Sequence, residues 1–217
     1  MKAESTHYRR WGKRLLDVLV SVTALVLLAP LLVFLAILVR LFLGSPVLFC
    51  QTRSGRNRAA FTILKFRSMT TSCDASGNPL PDSQRLTRFG KFLRATSLDE
   101  LPELLNVLKG DMSLVGPRPL LPRYDTYYTE REAKRFELLP GITGWAQING
   151  RNDLGWDDRL ECDAHYAESY CWTMDCKILA LTVVKVLRRD NVQVDPGKLT
   201  FGSLDEERRD RAAAPSS

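Results

Sequence analysis

Two adjacent acids, Asp99 and Glu100, sit in the run of this 217-residue chain that is richest in chemically capable side chains, Arg94-Ala-Thr-Ser-Leu-Asp99-Glu100-Leu-Pro-Glu-Leu-Leu-Asn106. Leu101, Leu104, Leu105 and Leu108 recur at i, i+3, i+4 and i+7, the apolar stripe of an amphipathic helix. Gly110 is its C-terminal stop. Pro102 fits the first turn of a helix, which places the helix start near Asp99. The ordinary role of such acids is structural: Asp99 caps the helix and Glu100 meets the positive end of its macrodipole. The chemical role is different. A carboxylate at a helix N-terminus is held ionised and aimed outward. It can attack phosphorus to give an acyl phosphate, while a neighbouring Glu handles a proton or helps hold a divalent metal. Free backbone N–H groups at the same place attract phosphate. A diphosphate substrate also needs cations nearby. Lys65, Arg67, Arg88, Arg94 and Arg118 are the candidates, with Arg118 stiffened between Pro117 and Pro119.

These groups must be positioned by the rest of the chain. Val18–Val39 carries no charge over 22 residues, enough for one bilayer span if straight. Pro30 falls in its middle, where it removes a backbone hydrogen bond and kinks a helix. The arms on either side are each too short to cross alone. Both flanks are basic: residues 1–14 carry a balance of +4, and residues 40–67 a balance of +6 with no acid. The positive-inside rule therefore asks for both ends in the cytoplasm. A re-entrant helix broken at Pro30 satisfies this, and a single spanning anchor remains the alternative.

After the Gly44-Ser45-Pro46 turn, Val47–Phe49 and Phe61–Phe66 read as strands of a short hairpin around Arg53–Asn57. Residues 70–83 read as a polar surface loop. Residues 129–138 read as an exposed helix, and Pro140–Gly150 as a Gly-rich loop. Residues 157–170 and 174–189 read as two helices, the second amphipathic enough to lie in a membrane interface. Residues 203–217 read as a frayed tail.

Composition sets the limits. Hydrophobic residues make up 45% and charged residues 26%, which excludes global disorder and collagen-like repeats. A mean hydropathy of −0.15 excludes a polytopic membrane protein. The net charge of +6 is concentrated around the apolar segment, and residues 68–217 sum to −3. That distribution favours a membrane surface over a nucleic-acid groove, and no nucleic-acid motif is visible. The five cysteines are odd in number and form no CxxC pair. They read as reduced thiols in small apolar environments rather than as a disulfide framework. His7 and His165, far apart in sequence, offer little to a zinc site.

The chain resembles the bacterial sugar transferase family, the small monotopic phosphoglycosyl transferases. The segments that carry the resemblance are KRLLDV (13–18), the apolar helix with Pro30, GSPVLFCQTRSGRN (44–57), FTILKFRSM (61–69), RLTRFGKFLRATSLDELPELLNVLKGDMSLVGPRP (85–119) and PGITGWAQINGRN (140–152). They span roughly residues 10–190 in the family's order. The resemblance implies an α+β, membrane-associated fold with three parts. Residues 1–43 are a basic N-terminus and re-entrant helix, with Ala29-Pro30 in place of the family's Ser-Pro. Residues 44–200 are a mostly helical cytosolic catalytic domain with a small β-hairpin and interfacial amphipathic helices. Residues 201–217 are a flexible charged tail. It further implies that Asp99 is the nucleophile toward the β-phosphorus of a UDP-sugar, that UMP leaves, and that a polyprenol phosphate then takes the phosphosugar. Glu100 completes the catalytic dyad. Lys65, Arg94 and Arg118 match positions that contact phosphates or hold the dyad, and Mg²⁺ sits beside Asp99. Arg67, Arg88, Arg159 and Asp163 fit family-like motifs.

A lipid phosphate cannot leave the bilayer and a nucleotide sugar cannot enter it. The expected location is therefore the cytoplasmic face of the bacterial inner membrane, with the lipid bilayer as a partner and nucleic acid excluded. A homo-oligomer is compatible with the sequence, and nothing in it specifies one. The competing reading is a membrane-anchored adaptor that binds nucleotide or anionic lipid without turnover. Adjacent acids in a phosphate site argue against it, since they repel the ligand unless a metal intervenes.

Overall fold

The computed structural model describes residues 7–150, 154–188 and 202–213. Lys2 and Glu4 of the basic flank, Arg151 and Asn152 of the last motif, and the boundary placed at residue 200 lie outside the described residues.

A π-helical turn, Tyr8–Gly12, leads into α1, Lys13–Leu43. The 31 residues of α1 would extend about 46 Å if straight. Pro30 lies inside α1 and does not interrupt it, so the expected break is corrected to one continuous helix with an internal proline. One stripe of α1 is packed along the rest of the protein on both sides of Pro30. Asp17 and Ser21 are buried before it, and Leu35, Val39 and Leu43 after it. Ala24 and Leu25 pack against the cluster of Ile63, Leu104, Val107 and Met112. Leu35, Val39 and Leu43 pack with Phe66 and Leu93. The other faces carry exposed Leu19, Val26, Leu27, Val33, Phe34, Ile37 and Leu41.

Polar contacts tie down both ends of α1. At the N-terminal end, Lys13 pairs with buried Asp175 at 2.6 Å, and the same carboxylate accepts from the Tyr8 and Tyr166 hydroxyls at 2.5 and 2.6 Å. Arg14 donates to the carbonyls of Val107 and Leu108, and Asp17 accepts from the Leu114 amide at 2.9 Å. At the C-terminal end, Arg67 donates to the carbonyls of Leu43 and Ser45. A guanidinium there meets the otherwise unpaired carbonyls and the negative end of the helix dipole.

The hairpin pairs β1 (Leu48–Ser54) with β2 (Ala60–Phe66), antiparallel from Leu48–Phe66 to Ser54–Ala60. Helix α2 (Arg88–Ala95) is capped by the Thr87 hydroxyl, which accepts from the Gly90 amide. Helix α3 runs Glu103–Lys109 and stops at Gly110, whose left-handed φ of 94° suits glycine. The expected start near Asp99 is corrected. Pro102 holds the N-cap position, and Leu98–Glu100 form a separate 3₁₀ turn after Ser97, itself left-handed at φ 55°. The leucine stripe is also shifted. Glu103, Leu104, Asn106 and Val107 are buried, whereas Leu105 is exposed.

A second, parallel pair joins β3 (Ser113–Val115) to β4 (Gly141–Thr143). The segment expected as a Gly-rich loop thus contains β4 and a short helix α4 (Trp145–Asn149). Residues expected as one exposed helix at 129–138 are two short turns, Glu130–Ala133 and Lys134–Glu137, with Arg135 and Phe136 buried. Helices α5 (Trp156–Ser169) and α6 (Trp172–Arg188) follow as expected. Helix α6 leaves Trp172, Val183, Val184 and Leu187 exposed. The tail expected to fray contains α7 (Leu204–Ala213), anchored by buried Leu204 and by ion pairs of Arg208 with Glu132 and Arg211 with Asp157. All five cysteines are unpaired, and Cys50 and Cys73 are exposed rather than buried.

Candidate active site

A cleft of about 1120 Å³ is lined by Lys65, Arg94, Asp99, Glu100 and Arg118 together, so the structure assembles the sequence-predicted residues in one place. Each arrives on a different element. Lys65 comes from β2, an edge strand whose far side would otherwise lack partners. Buried Asn106 on α3 supplies them, accepting from the Leu64 amide at 3.0 Å and donating to the Thr62 carbonyl at 2.7 Å. One carboxamide therefore fixes the register of β2 against α3 and sets Lys65 opposite the acids.

Lys65 Nζ lies 2.7 Å from Glu100 Oε1 and 3.1 Å from Glu103 Oε1. Arg118 reaches the same Glu100 oxygen at 2.9 Å. Its loop is held by close backbone packing: Gly116 donates to the Thr143 carbonyl and Gly141 to the Pro117 carbonyl. A Cβ on Gly116 would sit 2.4 Å from the Leu139 carbonyl oxygen, so any side chain there would displace the loop. Arg94 on α2 donates from Nε to the Ser68 hydroxyl at 2.9 Å, and its two terminal nitrogens, which face the charge of Asp99, make no hydrogen bond among the described residues. Gly90 permits that approach, since a Cβ there would lie 1.8 Å from the Ser68 carbonyl oxygen.

The three acids are electrostatically distinct. Burial works against the Glu100 charge, but Lys65 and Arg118 outweigh it and hold this carboxyl well below the usual range. Burial and the Glu100 charge raise Asp99 to about 6, with Lys65, Arg94 and Arg118 pulling it back. Burial and Glu100 likewise raise Glu103 to about 7. Burial would lower Lys65, yet the facing glutamates leave it raised and charged.

Asp99 is buried, at 8% exposed, and its carboxylate has no hydrogen-bond partner among the described residues. It caps no helix, and burial rather than a helix terminus sets its titration. Glu100 is bound by two cations, whereas Asp99 feels the field of the same cations without a hydrogen bond to either. Such an arrangement leaves one carboxylate able to act as a nucleophile beside a fixed set of positive charges. Among the described residues no three His, Cys, Asp or Glu side chains gather into a metal cage. Mg²⁺ needs no such cage, because it is commonly held by one or two carboxylates with substrate phosphates and water. The unpaired Asp99 carboxylate fits that mode.

The other expected residues divide. Arg67 lines the cleft but is engaged with the end of α1. Arg88 is exposed at the start of α2 and does not line the cleft. Asp163 and Arg159 line it, with Asp163 buried against Arg135 at 3.2 Å and Arg159 5.0 Å over the Trp156 ring. The sequence reading missed Glu103, Asn106, Arg135 and Gln147. Glu103 stands three residues after Glu100, the spacing that places both on one helical face. Nothing local in the sequence marks the others.

A model of the bacterial sugar transferase family matches residues 8–189. An uncharacterized sugar transferase, EpsL of Bacillus subtilis, is 51% identical over 181 residues, covering 83% of this chain and 90% of the relative. A UDP-glucose:undecaprenyl-phosphate glucose-1-phosphate transferase of Caulobacter vibrioides is 42% identical, over 82% of this chain and 71% of the relative. The exopolysaccharide production protein PSS of Rhizobium leguminosarum is 41% identical, over 82% and 96% respectively.

Proposed function

This chain belongs to the bacterial sugar transferase family, and we propose that it moves a sugar 1-phosphate from a UDP-sugar to a polyprenol phosphate at the cytoplasmic membrane face. The supporting observation is the unpartnered Asp99 carboxylate, buried in a cleft whose cations are fixed around it. Asp99 attacks the β-phosphorus of the donor. The bond to the bridging oxygen breaks and UMP departs with that electron pair, leaving a phosphosugar on Asp99. An oxygen of the polyprenol phosphate then attacks the same phosphorus and releases Asp99, giving a polyprenyl diphosphosugar. Arg94 offers its free fork to phosphate oxygens, and Arg118 and Lys65 offset the charge of the diphosphate. Glu100 keeps those last two cations in place. Mg²⁺, held by Asp99 when bound, would supply further neutralisation of the diphosphate.

The packing of α1 supports a monotopic attachment. Both ends of the helix are tied to the same domain, at Lys13, Arg14 and Asp17 and again at Leu43. A helix crossing the bilayer would put those ends about 30 Å apart across hydrocarbon. The exposed apolar faces of α1 and α6 are the surfaces that enter the lipid. The relative that acts in exopolysaccharide production suggests the same setting here, the first membrane step of a glycan pathway.

UMP release from UDP-glucose, with undecaprenyl phosphate and Mg²⁺ in detergent or nanodiscs, tests this reading. Lipid-dependent release that disappears in Asp99→Asn is expected. Release that persists in that variant would contradict the assignment of the nucleophile.

A further inference from the structure

Gln147 brings two unanswered hydrogen-bonding groups to the wall of the cleft. It lies on α4, is 7% exposed, and lines the cleft with the dyad. Neither Oε1 nor Nε2 has a partner among the described residues, although both atoms are shut off from solvent. Buried amides are almost always paired, so an unpaired one calls for a specific reason. The backbone makes room for it. A Cβ on Gly144 would fall 2.8 Å from Gln147 Oε1 and 2.1 Å from the Gly116 carbonyl oxygen. Gly144 thus lets the carboxamide sit beside the loop that carries Arg118.

We propose that Gln147 reads the uracil base of the donor, Oε1 accepting from the imide N3–H and Nε2 donating to an adjacent carbonyl. The inference rests on the nucleotide-sugar reading above. A carboxamide presents one acceptor and one donor side by side, and the imide edge presents the complement. Flat surfaces stand nearby: Trp156 lines the same cleft, has its Nε1 committed to the Gly202 carbonyl at 2.9 Å, and lies under the Arg159 guanidinium. Rings and guanidinium planes of this kind stack on bases. This end of the cleft also suits the water-soluble half of the donor. Trp156 and Leu160 cluster with Tyr124 and Leu204, and no described residue of α1 belongs to that cluster. Pro46, Leu48 and Phe49, close in sequence to the end of α1, line the cleft as well and suit the lipid acceptor.

The test compares binding of UMP and N3-methyl-UMP, with Mg²⁺, to the full-length wild type, Gln147→Met and Gln147→Glu. Methylation removes the imide donor and blocks that edge. The wild type is expected to prefer UMP by about ten- to a hundredfold, the range for one or two lost hydrogen bonds at a buried group. Gln147→Met is expected to melt no lower than wild type without nucleotide, because it removes two unpaired polar atoms, and to bind both nucleotides alike. Gln147→Glu should bind UMP at least tenfold more weakly, and carries the same readout should the Met variant fold poorly. Undiminished preference for UMP in the variants would overturn the proposal. Unchanged UMP affinity with a raised KM for UDP-glucose would overturn it in favour of a sugar contact. Failure of the wild type to bind UMP at all would overturn the nucleotide-donor reading with it, a result distinct from a loss confined to the variants.

Discussion

Asp99→Asn separates a carboxylate whose charge burial disfavours from a helix cap by stability alone, before any substrate is added. Asp99 is 8% exposed, its carboxylate accepts no hydrogen bond among the described residues, and its titration rises from the usual 3.8 to about 6. At 1.36 kcal/mol per pKa unit, that rise is a native-state cost of about 3 kcal/mol once the group is ionised. Part of it is shared with Glu100, so the neutral asparagine should recover about 1–3 kcal/mol. The sign follows from the raised value. Between about 4 and 6 the native protein holds more protons at this site than the unfolded chain. Stability linked to Asp99 is therefore intact at low pH and is lost as pH rises through about 6. The advantage of Asp99→Asn should vanish below about pH 4, reach about half its full size near pH 5 and be full above about pH 7. Urea unfolding of both proteins across that range, in one detergent, measures it. A helix-capping aspartate behaves oppositely, its loss costing about 0.5–2 kcal/mol. Destabilisation of Asp99→Asn at pH 7.5, or a gain independent of pH, would refute the electrostatic account.

Three further outcomes are expected. Asn106→Ala should cost about 2–4 kcal/mol, because it strips partners from the Leu64 amide and the Thr62 carbonyl, and urea melts should show it together with reduced turnover. Gly90→Ala should cost about 3 kcal/mol and lower turnover, since the new methyl would meet the Ser68 carbonyl oxygen and disturb the Arg94–Ser68 contact; a neutral melt would contradict that packing. The rate of the first half-reaction should climb with pH through about 6, as the attacking carboxylate ionises, and a rate independent of pH between 5 and 7 would contradict it.

Much of this was legible in the chain before folding. The run from Arg94 to Asn106, the doubly proline-framed Arg118 and the apolar segment around Pro30 each announce a role through residue type and spacing. The hairpin and helices α5 and α6 follow from local pattern, because their apolar positions recur at the periods of strand and helix. What could not be read depends on distant partners. Ser97 adopts a left-handed conformation that no propensity assigns to serine, and this delays α3 to Glu103. The Gly-rich stretch after Pro140 resembles a loop, yet glycine is needed there so that β4 can approach Gly116 closely enough to pair with β3. Leu204 opens a segment with the composition of a frayed tail, but this one leucine finds a buried place beside Tyr124 and Trp156. Asn106 and Gln147 look ordinary in sequence, and only the three-dimensional structure shows which backbone groups the first serves and that the second is unanswered.

The most direct test of the central claim is intact-protein mass spectrometry after incubation with Mg²⁺ and UDP-glucose or another UDP-sugar, without lipid acceptor. A mass gain of one phosphosugar, discharged by polyprenol phosphate and missing in Asp99→Asn, is the predicted result. UMP release on adding polyprenol phosphate, with no adduct trapped at any earlier time by rapid acid quench, would contradict covalent transfer through Asp99.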